Sequence, residues 1–354
     1  MKKILLINGS PKGKRSNTIK LAYAFLKGLN KNNEYKVDEI ICSQVNVSEC
    51  KGCFGCWKNE GGQCVISDEM DSILHKYISA NIVIWSFPTY FYGIPSKAKC
   101  MMDRLFPLYA QELRCDDGKT TYHPYRFNLE EQRYILFCSC AYYNKVHNVE
   151  AIEKQFELLY GNKCDMLFCS EGELLSSRFM DYATEEYLKA LQAEGENYKD
   201  CFELSKDIKQ KFAVPFLPMG AFLDFVEASA VRKAPEQTQE AYENARITAF
   251  FKRLALTYDA KRLDVEASVL EIQLVDYHYR CQLYMDKHKC EIIENVDHFF
   301  PYRLKVVCKL AFFTANQFLA GAGKSKVKSP DFNNLIDLIN KFEKKGIIKE
   351  MKFC

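Results

Sequence analysis

Five short apolar runs, each handed on to a segment of helical periodicity, constrain this chain more than any other feature. They are residues 4–7 (ILLI), 36–42 (KVDEIIC), 82–85 (IVIW), 133–140 (RYILFCSC) and 163–170 (KCDMLFCS). The first and third show almost no polar alternation, as expected of strands buried on both faces, while the second reads as more exposed. Apolar residues at helical spacing follow in 16–29, 68–79, 96–108 and 149–160, and residues 181–211 are mostly helical in pattern, closing the domain near 215–219. Five such units in a row predict an α/β fold, a doubly wound parallel sheet.

The connection after the first run carries chemistry. Gly9-Ser10-Pro11 turns the chain, Lys12, Gly13, Lys14 and Arg15 keep it cationic, and Ser16-Asn17-Thr18 supplies N-cap residues for a helix beginning at Ser16 or Asn17. Backbone amides converge at such a junction, the helix dipole favours negative charge, and hydroxyls add donors, so the natural guest is an anion. The loop is neither the lysine P-loop nor G-x-G-x-x-G, which argues against a nucleotide triphosphatase and a standard dinucleotide fold. A βα turn that is basic by accident is the bland alternative.

After the third run, residues 86–95 (SFPTYFYGIP) hold two prolines and Gly93, which predict a rigid aromatic loop rather than helix or central strand. In open α/β sheets ligands bind beyond the carboxyl ends of the strands at a topological switch point, where the loops after strands one and three meet. One offers anion contacts and the other flat faces, with residues 141–144 as a third wall.

Cysteine usage points elsewhere in the chain. With sixteen cysteines in 354 residues a fifteen-residue window should hold about 0.7 of one, yet residues 50–64 hold four, Cys50, Cys53, Cys56 and Cys64, spaced C-x2-C-x2-C-x7-C. Thiolates so spaced reach one metal centre from a single loop, either a cubane cluster or zinc; a loop of free thiols is the alternative. Trp57 reads as a shield for such a centre or as plain core. His75, His123 and His147 form no recognisable site.

Lysine and arginine exceed aspartate and glutamate by only three, so charge balance gives no case for nucleic acid or an anionic membrane. No uninterrupted apolar run reaches about 18 residues, and Lys2-Lys3 before a four-residue apolar stretch is too short for a signal-peptide core, so a cytoplasmic protein is expected. Residues 231–257 read as a helical connector. Residues 258–354 read as a small α+β domain, with a period-two hairpin signal over 271–294 turning at 286–289, another strand over 302–307, and helices over 311–319 and 332–342.

Four segments in order, GSPKGKRSNT, CKGCFGCWKNEGGQC followed by Ser67-Asp68-Glu69-Met70, FPTYFYGIPSKAKCMMDR, and FAVPFLPMG, make residues 1–230 resemble the flavodoxin-like NAD(P)H-dependent FMN reductases, and within them the iron-sulfur flavoprotein branch. The resemblance implies a flavodoxin-like five-stranded sheet in the order 2-1-3-4-5. It implies that Ser10, Ser16, Asn17 and Thr18 surround the FMN phosphate with Lys12 near it. Pro88, Thr89, Tyr90, Tyr92 and Gly93 would line the isoalloxazine ring. Ser139, within the third loop Cys138 to Ala141, would lie near the flavin, although Cys138-Ser139-Cys140 departs from the small, glycine-containing pattern usual there. Cys50, Cys53, Cys56 and Cys64 match the compact motif that holds a [4Fe–4S] cluster. The tail more faintly resembles the sterol-carrier-protein type two fold.

The function so implied is that of an FMN-dependent oxidoreductase, in which FMN performs the chemistry and no catalytic acid or base is required. Electrons would come from NAD(P)H or from a ferredoxin-like partner through the cluster, and go to a flavin, quinone or similar small molecule. A homodimer or homotetramer is expected, because relatives complete the flavin site from a partner subunit. The rival is a non-enzymatic metal- or lipid-binding or redox-sensing protein on a flavodoxin-like scaffold; flavin turnover by the purified protein would separate the two.

Overall fold

The computed structural model describes residues 1–59, 61–176 and 181–217, scattered positions between 219 and 255, and strand segments at 267–274, 279–286, 290–294 and 304–310. The chain divides into two compact units, residues 1–176 with 182–216, and residues 177–181 with 217–354.

In the first unit β1 (Lys2–Asn8), β2 (Tyr35–Ile41), β3 (Ile82–Pro88), β4 (Arg133–Ser139) and β5 (Cys164–Cys169) pair in parallel in the order β2-β1-β3-β4-β5, as the sequence predicts. The pleat sends alternate residues to opposite faces, and both faces are covered, so β1 and β3 need apolar residues at successive positions. Leu5, Ile7, Val83 and Trp85 pack with Met70 and Ile73 of α3 (Met70–Ser79), Met101 of α4 (Ser96–Asp103) and Phe156 of α5 (Glu150–Tyr160). Ile4, Leu6, Ile82 and Ile84 pack with Phe25 of α1 (Asn17–Leu29), Leu191 of α6 (Asp181–Cys201) and Ile208 of α7 (Lys206–Ala213). Helices α1 and α6 touch backbone to backbone: a Cβ on Gly28 would lie 1.8 Å from the Gln192 carbonyl oxygen, and one on Gly195 would lie 2.1 Å from that of Phe25.

Three expectations are corrected. β3 runs on through Ser86, Phe87 and Pro88, opposite Phe137, Cys138 and Ser139. Proline is tolerated because it is the last residue of the strand, and the ladder continues with the Thr89 amide donating to the Ser139 carbonyl. The helix expected over 96–108 stops at Asp103 and a 3₁₀ turn, Phe106–Leu108, follows, because the ring of Pro107 would clash with the carbonyl four residues back. The pattern over 181–211 is two helices; the second starts where the Ser205 hydroxyl accepts the Ile208 amide.

In the second unit β6 (Ala267–Leu274), β7 (Tyr279–Asp286), β8 (Cys290–Glu294) and β9 (Leu304–Leu310) form a sheet in the order β8-β7-β6-β9, with β9 parallel to β6 and the other pairs antiparallel. The period-two stretch 271–294 is therefore the end of β6 with β7 and β8 rather than one hairpin, and positions 287–289 of the expected turn lie outside the described residues. The strand expected over 302–307 is described from Leu304 to Leu310. Ala241, Ala245, Thr248, Ala249, Lys252 and Ala255 are helical within the expected connector, and the helices expected over 311–319 and 332–342 lie outside the described residues. Among the described residues no helix is long and apolar enough to cross a membrane.

Candidate functional site

Strand order reverses between β1 and β3, and the loops leaving those two strands flank the crevice that such a reversal opens. The first loop is held by its own bonds. The Ser10 amide donates to the Asn8 side-chain oxygen, the Lys12 amide to the Ser10 hydroxyl, and the Ser16 amide to the Gly13 carbonyl. Ser16 is the N-cap of α1, but its side chain caps nothing, so it leaves the first-turn amides to the crevice. Thr18 and Ser139 join the loop to the end of β4 through a 2.5 Å hydroxyl contact, and the Asn17 side-chain amide donates to the Gly172 carbonyl.

One cleft gathers Ser10, Lys12, Ser16, Asn17 and Thr18 from the first loop and helix start, Pro88, Thr89 and Tyr90 from the end of β3, and Ser139 from the end of β4. Cys140 and Ala141 complete the third wall, whereas Cys138 is fully buried in the core. Gly172 and Glu173 also line the cleft and were not legible as site residues, since 171–175 reads only as helix. The available signal was positional: β5 lies beside β4, so the loop after it opens on the same end of the sheet. Gly172 packs closely there, since a Cβ would sit 3.0 Å from that of Ser139 and 3.2 Å from the Cys140 carbonyl oxygen.

Tyr92 and Gly93 are outside the lining of this cleft. Tyr90 and Gly93 exchange two backbone hydrogen bonds, 2.9 and 3.0 Å, closing a tight turn in which Phe91 and Tyr92 take left-handed φ of 49° and 62°. Tyr92 stacks on Tyr142 at 5.9 Å, and Phe91 is wholly exposed. Aromatic side chains rarely adopt this backbone, so the turn is strained, and the mutual bonds hold it.

The four cysteines of the 50–64 loop line a second, smaller pocket of about 50 Å³, closed by Phe54, Ile66, Arg104 and Phe106. Cys50 and Cys53 are exposed, Cys64 half-buried and Cys56 buried. Burial, and then the neighbouring Cys64, raise the Cys56 pKa, which a bound cationic centre would reverse. Among the described residues no group of three or more His, Cys, Asp or Glu side chains is gathered on a point that could hold a single metal ion.

Both ends of this loop are fastened by Arg104. The helical pattern puts that residue on the polar side of its helix, yet it is 1% exposed. It donates to the Ser48 and Ile66 carbonyls and pairs with both oxygens of the buried Asp68, at 2.9 and 3.1 Å. Burial disfavours the Asp68 carboxylate, but the Arg104 guanidinium and the Ser48 and Met70 amides outweigh it, and its pKa is lowered. Trp57, on the short α2 (Gly55–Lys58), forms an aromatic wall beyond the loop with Phe54, Phe106 and His123.

Residues 2–111 match the family model described as a flavodoxin-like fold. The N-terminal unit therefore has a flavodoxin-like fold, in its matching residues and in its strand order. Two curated relatives are similar over this region. The iron-sulfur flavoprotein of Methanosarcina thermophila is 34% identical over 102 residues, 29% of this chain and 51% of that protein. An iron-sulfur flavoprotein of Archaeoglobus fulgidus is 32% identical over 101 residues, 28% of this chain and 44% of that protein. The chain thus spans about half the length of the curated relatives it matches. Among solved structures, the FMN-dependent NADH-azoreductase from Bacillus anthracis in complex with FMN superposes with a TM-score of 0.43 at 20% identity, over 56% of this chain and 99% of that one.

Proposed function

We propose that the flavodoxin-like unit binds FMN non-covalently and is an FMN-dependent oxidoreductase, with a [4Fe–4S] cluster on Cys50, Cys53, Cys56 and Cys64. The observation that carries this is the convergence of nine of the eleven residues nominated for FMN, drawn from three separate stretches of sequence, on one cleft at the β1/β3 reversal. Sheets of this order hold FMN at that reversal. The names of the curated relatives support the same reading.

When bound, FMN supplies hydride and single-electron transfer. The chain's own residues bind and orient. The first-turn amides of α1 and the hydroxyls of Ser10, Ser16 and Thr18 would hold the phosphate, and Lys12 would add charge. Pro88, Thr89 and Tyr90 present a flat wall to one side of the ring. The cleft encloses only about 90 Å³, far less than the roughly 300–1,000 Å³ of a usual ligand pocket. It suits the phosphate end and leaves the ring's outer face open, so a second copy of the chain, docking on the exposed Phe91 turn, is proposed to cover that face as a homodimer or homotetramer.

The cysteine pocket fits a polynuclear centre better than zinc. A run of Cys-x-x-Cys spacings with a fourth cysteine nearby is the ligand set a cubane cluster uses, and all four cysteines line one pocket of about 50 Å³. Lys51 and Arg104 line it and offset the charge that thiolates bring. The donor is proposed to be NAD(P)H or a ferredoxin-like protein and the acceptor a flavin, quinone or similar small molecule.

The assignment is tested by comparing FMN with riboflavin. Replacing Ser16 and Thr18 by alanine is expected to weaken FMN by at least tenfold and riboflavin little, because only FMN places a phosphate among those hydroxyls. Equal losses for both would remove the phosphate from this loop.

A further inference from the structure

A larger cavity, of about 870 Å³, lies on the far side of the Trp57–Phe106 wall from the cysteine pocket, and neither the flavin cleft nor the cysteine loop uses it. It is built largely from the polar, aromatic excursion at 109–130 that interrupts the βα pattern before β4, together with the end of α5. Its size falls within the roughly 300–1,000 Å³ typical of small-molecule sites.

Two kinds of group line it. Trp57, Tyr109 and Tyr125 give aromatic surface, with Tyr109 and Tyr125 stacked at 4.9 Å and Trp57 tilted against His123 at 4.6 Å. Arg114, Arg126 and Lys163 line it with one carboxylate, Glu130; Arg114 also pairs with Glu112 at 2.7 Å, so the lining keeps a net positive charge of about one.

We propose that this cavity is a second ligand site, separate from the flavin cleft, that takes a planar aromatic anion such as an aryl carboxylate. Flat rings gain from stacking on indole and phenol faces, and guanidinium groups recognise carboxylates through paired donors. Phe106 belongs to the linings of both this cavity and the cysteine pocket, so the ligand would rest one side chain away from the four sulfurs.

The probe is 2-naphthoate, titrated into FMN-saturated protein by calorimetry, with 2-naphthalenemethanol as its uncharged counterpart. The chain has two tryptophans, so the indole resonance that Trp57→Phe removes is identifiable by NMR and reports on this cavity alone. The expected result is saturable binding of one naphthoate per chain, a shift of the Trp57 indole resonance, and at least tenfold weaker binding of the alcohol. The double variant Arg114→Gln/Lys163→Gln should also lose at least tenfold. Arg114 is exposed and Lys163 half-buried, so both substitutions are expected to preserve the fold, and an unchanged melting curve checks this. Absence of saturation at millimolar probe, equal affinity for the alcohol, unchanged affinity in the double variant, or binding that leaves the Trp57 resonance still would each overturn the proposal. So would a sealed cavity in an oligomer that excludes the probe.

Discussion

Replacing Arg104 by methionine should unfasten the cysteine loop at both ends. The substitution keeps most of the apolar stem but strips the counter-ion from Asp68, itself buried, and removes the donors to the Ser48 and Ile66 carbonyls. Breaking a buried ion pair from one side costs about 3–5 kcal/mol, because the remaining charge stays desolvated. The expected loss is therefore a large part of the roughly 5–15 kcal/mol that holds a domain folded. Urea denaturation followed by tryptophan fluorescence reads it, Trp85 being fully buried between the sheet and α5. Asp68→Asn removes the charge and keeps an acceptor for only one of the Ser48 and Met70 amides, which donate to different oxygens, and Arg104→Met/Asp68→Asn should still lose less than the sum of the single changes by about 2 kcal/mol. The pair also sets an acid limit. Asp68 has a lowered pKa when folded, while the unfolded carboxylate takes a proton near about 3.9, so stability rises with pH between the two values. The advantage of the natural protein over Asp68→Asn should be complete above about pH 5 and disappear as the pH falls through the lowered folded value. A cost below about 1 kcal/mol for Arg104→Met, or strict additivity in the double variant, would refute the account.

Other outcomes follow from the same structure. Protein purified without oxygen should carry about four irons and four acid-labile sulfides per chain, lost in Cys53→Ser/Cys56→Ser while FMN stays; zinc without sulfide would remove the cluster. Gly28→Ala should destabilise the flavodoxin-like unit by about 3 kcal/mol or more, since the added methyl meets a helix backbone that has no rotamer to yield; a melting temperature within a degree of the natural one would contradict the α1–α6 contact. Phe91→Ser should shift sedimentation towards monomer and loosen FMN, and an unchanged oligomer would show that the exposed turn is not the subunit contact.

The sheet was legible because both its faces are covered, which writes parallel strands as unbroken apolar runs such as Ile4–Ile7 and Ile82–Trp85. The phosphate-type loop was legible because hydroxyl and cationic residues stand directly before a helix start. What escaped was long-range. Gly172 and Glu173 reach the cleft only because β5 lies beside β4, and no local pattern states that neighbour. Arg104 looked like a surface residue because periodicity counts charge as polar, whereas a guanidinium whose two terminal nitrogens meet carbonyl and carboxylate partners can be interior. Residues 115–128 read from the sequence as a polar, aromatic excursion without periodicity, and only the fold gathers their side chains and those of their neighbours around one cavity.

Arg104 fastens the loop at Ser48 and Ile66, outside the cysteines, while its guanidinium also lines their pocket, so one side chain ties the metal-type site to the fold. A segment clamped at its base can be exchanged. Lengthening a flexible loop between fixed ends costs only about 0.6 kcal/mol per doubling, so the stretch between the two clamped carbonyls can accept other spacings, other ligands or none while Arg104 keeps its anchor points. The flavodoxin-like frame with this arginine clamp is thus a socket, into which inserts of different redox chemistry can be grafted without redesigning the sheet beneath.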